Sequence, residues 1–213
     1  MIDIVGSVSS SGLFTTAKDE TMTEVLLFHH AAGQTPGFLA FADSVRAAGH
    51  VVHTPDVYEG RVFTDLETGI AHAKEVGFGA LHERAIAAAG LIPDAVVFAG
   101  FSIGAMPAQQ LAQTRPGALG ALLFDSCAPV SEWGDSWPSG VPVQVHGMDG
   151  DEFFAEEGGD IEAARELVAM APEAELFIYH GDGHLFADSS LPSHDPDAAA
   201  LLSRRVIGFL NAR

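Results

Sequence analysis

Cysteine, lysine and long apolar runs are scarce in this sequence, and each scarcity excludes a class of protein. The 213 residues include a single cysteine, Cys127, so no disulfide can form within the chain. No stretch reaches the ~20 consecutive apolar residues that a membrane-spanning helix needs. Lys18 and Lys74 are the only lysines and the net charge is −19, which disfavours contact with nucleic-acid phosphates. We therefore expect neither a nucleic-acid nor a membrane partner.

The first residues differ in character from the rest. Residues 1–21 are rich in serine and threonine, and Met22 stands just before the first convincing strand. We expect 1–21 to be a peripheral extension, with a short edge strand at 1–8 as the alternative, and 22–213 to be one domain. The N-terminus has neither the basic segment nor the long apolar segment of a secretory signal. The expected compartment is therefore the cytoplasm.

Apolar strand-like segments alternate with helix-like segments through the remainder of the chain. Helical patterns occupy 36–49, 64–75, 79–89, the residues after Gly104, those after the candidate cap Asp160, and 196–212. The strand-like segments are 24–30, 50–56, 94–100, 118–126, 141–147 and 174–181. Short apolar strands separated by helices predict an α/β fold, with a mainly parallel sheet covered by helices on both faces.

One serine lies at a junction between a predicted strand and a predicted helix. The sequence there is GFSIG, with Ser102 between Gly100 and Gly104. This is the G-x-S-x-G pattern of a nucleophile elbow, in which a tight turn exposes the hydroxyl at the carboxyl end of the sheet. The alternative is that Ser102 merely caps the helix. If it is a nucleophile, the backbone N–H of Ile103 is a candidate oxyanion donor.

A serine nucleophile needs a base, and the base needs an acid. Ten histidines are present, and His184 follows the last predicted strand in a glycine-rich loop; His180 and His146 are better explained as structural residues. Asp149 and Asp151 follow the preceding strand, and Asp125 ends the strand after the elbow. The order Ser, Asp, His is that of the α/β-hydrolases. Position alone leaves three candidate acids, of which we favour Asp151.

From about Glu24 to the C-terminus, the chain resembles the dienelactone hydrolase family, small α/β-hydrolases with no separate lid domain. The resemblance is carried by LLFHHAAG, HTPDVYEG, GFSIGA, HGMDGDEFF and YHGDGHLFADSS, in that order. It implies Ser102 as nucleophile, Asp151 as acid and His184 as base. It also implies a second oxyanion donor at the backbone of Ala31.

Three positions depart from the family pattern. The namesake enzymes carry cysteine at the elbow, a glutamate where this chain has His30, and an arginine where it has Asp188. The cysteine and the glutamate are absent together, which is physically consistent. The glutamate partners the resting thiol in the namesake enzymes, and a serine nucleophile has no thiol that needs such a partner. The lost arginine argues against a substrate bearing a carboxylate, and Arg61 is the only basic residue that we place near the crevice.

The resulting hypothesis is a serine hydrolase for a small carboxylic ester or lactone, without a cofactor. We expect His30 and Tyr58 to line the substrate pocket. A metal held by His29 and His30 is disfavoured, because neighbouring residues on a strand point to opposite faces. Cys127 is expected to be a core residue. The competing hypothesis is a catalytically silent binding protein of the same fold; the oligomeric state is open.

Overall fold

Six parallel strands form the centre of the molecule. The computed structural model describes residues 22–156 and 159–213, so the expectations for 1–21 lie outside the described residues. The strands are β1 (Glu24–Phe28), β2 (Val51–His53), β3 (Val97–Phe101), β4 (Gly120–Phe124), β5 (Val143–Met148) and β6 (Ala174–Tyr179). Their order in the sheet is β2-β1-β3-β4-β5-β6, and all neighbours pair in parallel.

Helices connect the strands. They are α1 (Pro36–Ala47), α2 (Leu66–Val76), α3 (Phe78–Ala89), α4 (Ala105–Thr114), α5 (Asp160–Met170) and α6 (Pro196–Leu210), with short 3₁₀ turns at Ser102–Gly104 and Val130–Glu132. Thr35 and Asp195 cap α1 and α6 through their side chains, and each of these two helices begins with proline. None of the helices in the described part of the chain is both long and apolar enough to cross a membrane.

The sheet separates two apolar cores. Alternate residues of β1 show the division, because Leu26 and Phe28 face one core whereas Val25 and Leu27 face the other. Side chains of α2, α3, α4 and α5 fill the first core, and those of α1 and α6 fill the second. The α/β fold with helices on both faces is therefore confirmed.

The strand order places a crevice beside β1 and β3. The chain passes from β1 to β2 on one side and then returns to place β3 on the other side of β1. Parallel sheets bind ligands outside the carboxyl ends of their strands at such a reversal. The segments that follow β1 and β3 contain Ala31 and Ser102, respectively.

Two local expectations differ from the structure. The strand predicted at 50–56 is limited to Val51–His53, because β1 offers it only three paired positions and Pro55 lacks an N–H. Asp160 is the first residue of α5 and not its cap, which is Gly159. The Asp160 carboxylate instead accepts hydrogen bonds from the Ser126 hydroxyl and from the Cys127 backbone N–H at 3.2 Å.

Candidate active site

Ser102 sits in a strained turn at the carboxyl end of β3. Its φ is 50°, in the left-handed region that a residue with a side chain seldom adopts. A Cβ on Gly100 would lie 2.0 Å from the carbonyl oxygen of Gly104, and one on Gly104 would lie 2.6 Å from that of His29. Only glycine fits at either position, because the opposing atoms belong to the backbone. The turn continues directly into α4.

His184 reaches Ser102 from the loop after β6. Its Nε2 lies 2.9 Å from the Ser102 Oγ, although 82 positions separate the two residues. The next two side chains, Leu185 and Phe186, are fully buried in the core formed with α1 and α6. That burial anchors the loop and holds the imidazole over the turn.

Asp151 completes the chain of hydrogen bonds. One of its carboxylate oxygens lies 2.7 Å from His184 Nδ1, and the other accepts a hydrogen bond from the Phe153 backbone N–H at 2.9 Å. The carboxyl group is 1% exposed. Phe154 is fully buried against Gly147 of β5, where a Cβ would lie 2.3 Å from the phenyl ring. This packing fixes the loop that carries Asp151.

The charges around His184 favour its protonated form. Burial by itself lowers the pKa of an imidazole, but here it is outweighed. The hydrogen bond to Asp151 and the negative charges of Asp125, Asp151 and Asp160 together raise the pKa of His184 above its ordinary value. The ring is thus suited to accept a proton from the adjacent hydroxyl.

The rival acids occupy different environments. Asp149 lies at the surface, 3.1 Å from the exposed His180 ring, and its other oxygen accepts a hydrogen bond from Gly181. These hydrogen bonds lower the pKa of Asp149. Asp125 is 1% exposed and does not hydrogen-bond to His184. Of the three candidates, Asp151 alone is bonded to the imidazole in the described residues.

The two predicted oxyanion donors lie on neighbouring strand ends. Ile103 follows Ser102 directly, at the start of the turn that leads into α4. Ala31 lies three positions beyond β1, which pairs with β3 such that Phe28 is opposite Gly100. Its backbone is covered by α2, since a Cβ on Gly69 would lie 2.3 Å from the Ala31 carbonyl oxygen. Both segments therefore border the turn that carries Ser102.

His30 and Tyr58, which we predicted to line the substrate pocket, are both buried side chains. They are 1% and 2% exposed, and neither is among the residues that line the two cavities described below. His30 Nε2 lies 2.8 Å from the Asp188 carboxylate, and its Nδ1 accepts a hydrogen bond from the Ala32 N–H. The Tyr58 ring packs against His29, 4.8 Å between centroids. Both side chains are packed into the walls beneath the crevice.

Asp188 is the centre of a buried polar cluster. It is 3% exposed and accepts hydrogen bonds from His30, from the Thr35 hydroxyl and from the Ser190 hydroxyl and N–H. Burial raises the pKa of this carboxyl, but the hydrogen bonds from His30, Ser190 and Thr35 outweigh burial and lower it to about 2. Asp188 therefore remains a carboxylate. Arg61, the other residue considered near the crevice, is exposed.

The remaining candidates have structural environments. Burial lowers the pKa of His29 to about 4, and its ring bonds the His30 carbonyl and the Val57 N–H. Burial likewise lowers the pKa of His146, to about 3. Cys127 is fully buried, as expected, and burial raises the pKa of its thiol. No group of three potential metal ligands occurs within residues 22–156 and 159–213.

Two of the cavities beside the site differ in the character of their linings. One, of about 610 Å³, is lined by His184 and by other residues between β6 and α6, including Asp182 and Asp195. The other, of about 180 Å³, we call the apolar cavity; it lies between β1, α3 and α4. Its lining includes Phe28, Val57, Leu81, Ala85, Ile103 and Met106.

Sequence reasoning did not identify Phe153. Its ring is 52% exposed and lies 4.7 Å from the His184 ring, between centroids. Its position two residues after Asp151 in HGMDGDEFF is the only signal that the sequence provides for it. An exposed aromatic ring against the imidazole adds an apolar surface to the mouth of the site.

These strands, helices and the serine turn define an α/β-hydrolase fold, and solved structures agree. A protein from Klebsiella pneumoniae subsp. pneumoniae, described provisionally as a dienelactone hydrolase, matches with a TM-score of 0.69 and 16% identity over 93% of this chain and 90% of its own. A dienelactone hydrolase-like promiscuous phosphotriesterase from metagenomic libraries gives a TM-score of 0.65 and 16% identity, covering 92% and 89%. A cold-adapted esterase from an Arctic intertidal metagenomic library gives a TM-score of 0.60 and 16% identity, over 92% of this chain and 84% of its own.

Comparison of the sequence with protein-family models places the chain in one family of this fold. The model of the dienelactone hydrolase family matches residues 11–213, so the chain belongs to that family. A comparison with curated proteins found no match. The family and the fold together identify the protein as a hydrolase.

Proposed function

We propose that this hydrolase cleaves an uncharged carboxylic ester or lactone through an acyl-enzyme on Ser102. The observation that carries the proposal is the continuous chain of hydrogen bonds from Ser102 to His184 (2.9 Å) and from His184 to Asp151 (2.7 Å). A hydroxyl becomes an effective nucleophile when an oriented base removes its proton. The alternative that Ser102 is only a helix cap does not account for the imidazole at its oxygen.

Each group has a defined role in the proposed reaction. The Ser102 Oγ attacks the carbonyl carbon while His184 Nε2 accepts its proton, and Asp151 holds the ring at Nδ1. The N–H groups of Ile103 and Ala31 stabilise the oxyanion. The protonated His184 then donates to the leaving alcohol. In the second half, His184 takes a proton from water while the water oxygen attacks the acyl carbon; His184 then returns that proton to Ser102 Oγ as the acid leaves.

The surroundings support an uncharged substrate with a compact apolar group. Asp188, which stands where the family resemblance predicts arginine, is a buried carboxylate, and the chain carries a net charge of −19. Neither favours a substrate carboxylate. The apolar cavity of about 180 Å³ includes Ile103, the residue after the nucleophile. Apolar cavities of about 150 Å³ accept benzene, so this one is large enough for a phenyl or short alkyl group of the substrate.

Serine-directed labelling tests this function. A fluorophosphonate is expected to add to Ser102, detected by mass, and p-nitrophenyl esters and lactones to be hydrolysed. Ser102→Ala and His184→Ala are each expected to lower turnover by on the order of 10⁴–10⁶, and the double variant by little more, because the residues act as one unit. If the two single effects instead multiply in the double variant, the triad is wrong. A folded but unreactive protein supports the alternative of a silent binding protein.

A further inference from the structure

A second carboxyl group lies beside Ser102. In the pairing of β3 with β4, Phe101 is opposite Phe124, so the next residues, Ser102 and Asp125, leave adjacent strands at the same edge. Both have left-handed backbones, with φ of 50° and 56°. The Asp125 N–H donates to the His146 carbonyl on β5 at 2.8 Å, which fixes the residue between β3 and β5.

The Asp125 carboxyl group has an unusual environment. It is 1% exposed, and neither of its oxygens has a hydrogen-bond partner in the described part of the chain. Asp151 and Asp188 are equally buried, yet both are held by several hydrogen bonds. An unpaired buried carboxyl destabilises a fold, so its presence at a site of reaction calls for a role there.

Asp125 and His184 are electrostatically coupled. Burial raises the pKa of Asp125 to about 7; the charge of His184 acts to lower that pKa, and the charge of Asp151 acts to raise it. Conversely, the charge of Asp125 is among those that raise the pKa of His184. The charge states of Asp125 and His184 therefore influence each other.

Other titratable groups lie around Asp125 on the neighbouring elements. His146 of β5 is uncharged near neutral pH, because burial lowers its pKa to about 3. Tyr179 of β6 remains a neutral phenol, because burial raises its pKa. Asp160 of α5 is bonded to Ser126 and Cys127, and burial raises its pKa. Of the two histidines His146 and His184, the pKa of His146 is lowered, whereas that of His184 is raised.

We propose that Asp125 is a second electrostatic partner of His184, whose carboxylate stabilises the imidazolium formed when His184 takes the Ser102 proton. This inference rests on the proposed function. The proton moves from Ser102 Oγ to His184 Nε2, as in the mechanism above, and Asp125 exchanges no proton with the substrate. It acts on the reaction through His184 and is therefore a positioning residue, whereas Asp151 also orients the ring by a hydrogen bond.

The pH dependence of Asp125→Asn tests the inference. Asparagine has the same shape but no charge at any pH, so it imitates the protonated form of Asp125. We expect the ratio of wild-type to variant kcat/KM to be near one below about pH 6 and to rise to roughly 3–10 above about pH 8, since one pKa unit corresponds to a factor of ten. A purely structural role would lower the rate by the same factor at every pH. A flat ratio therefore overturns the proposal.

Two further comparisons make the result specific. Asp149→Asn, which alters an exposed pair with His180, is the matched control and is expected to give a flat ratio near one. In the Ser102→Ala background, NMR titration of the His184 ring reports the pKa of that ring without turnover. Adding Asp125→Asn to this background is expected to lower the His184 pKa. If the asparagine variant does not fold, Asp125→Ala replaces it. An unchanged His184 pKa contradicts the inference. Ser102→Ala with undiminished turnover would instead refute the proposed function itself.

Discussion

The substitution Gly100→Ala tests whether the turn at Ser102 is as tight as the structure indicates. The added Cβ would lie 2.0 Å from the Gly104 oxygen, 2.2 Å from the Gly104 carbonyl carbon and 2.7 Å from the Ala105 nitrogen. Gly100 pairs with Phe28 on one side and Leu123 on the other, so its strand cannot move away. The turn must open instead, and with it the position of the Ser102 hydroxyl.

The expected cost follows from these contacts. Adding a methyl group to a packed interior typically costs about 1–3 kcal/mol. Here the opposing atoms are backbone, so we expect at least about 3 kcal/mol, a large share of the ~5–15 kcal/mol that stabilises a typical protein. A displacement of about 1 Å at the nucleophile is expected to lower turnover by on the order of 100-fold.

Gly208→Ala is the matched control, because it lies inside α6 and no heavy atom lies within 4 Å of its added Cβ. Alanine is favoured over glycine in a helix by about 0.8–1 kcal/mol, so this variant is expected to be more stable. Urea unfolding followed by tryptophan fluorescence, with ester hydrolysis in parallel, measures both. If Gly100→Ala is as stable and as active as the wild type, the tight turn is not needed.

Two other predictions concern the substrate cavity and the buried polar cluster. Ala85→Leu fills part of the apolar cavity, so we expect it to lower the rate of hydrolysis of phenylacetate esters relative to that of acetate esters by about tenfold. Ala80→Leu, on the exposed face of α3, is the control. If the ratio of the two rates is the same in both variants, the assignment of the cavity is contradicted. The pKa of Asp188 lies below its unfolded value, so this carboxylate stabilises the fold above about pH 4 and loses its contribution as the pH falls to about 2. Asp188→Asn is expected to lower the free energy of unfolding, measured in urea, by about 2 kcal/mol at pH 7 and by less in acid. An equal loss at pH 7 and in acid would contradict the linkage. Asp43→Asn, at an exposed carboxylate, is the control and is expected to cost little.

Much of the fold could be predicted from the sequence, because local pattern determines it. Short apolar runs between amphipathic segments predicted all six strands and the helices around them. The errors occurred where tertiary contacts decide. β2 is shorter than its apolar run because only three positions of β1 pair with it. Asp160 bonds Ser126 across 34 positions, and no local signal distinguishes that contact from capping.

The candidate site divides in the same way. Local patterns in the sequence pointed to Ser102, Asp151 and His184. In the structure these three side chains are joined by hydrogen bonds. Their catalytic roles remain predictions. The burial of His30 and Tyr58 could not be predicted, because it depends on residues distant in the sequence. His30 contacts Asp188 across 158 positions.

This contact also relates two departures from the family pattern. The resemblance places a glutamate at the position of His30 and an arginine at that of Asp188, and in this chain the two replacements are hydrogen-bonded to each other. The two side chains therefore satisfy each other in the interior, and Thr35 and Ser190 supply the other hydrogen bonds of the carboxylate. The Asp188 position thus carries no arginine, which agrees with the uncharged substrate that we propose.

The hydrogen bond between Ser102 and His184 spans 82 positions and joins the loops that follow β3 and β6. That pairing exists only after the C-terminal half of the chain has docked onto β3. In a refolding experiment, the time course of fluorophosphonate capture would therefore record the arrival of β6 and its loop, whereas tryptophan emission would report on Trp133 and Trp137, before β5. A lag between the two signals would separate early collapse from completion of the sheet.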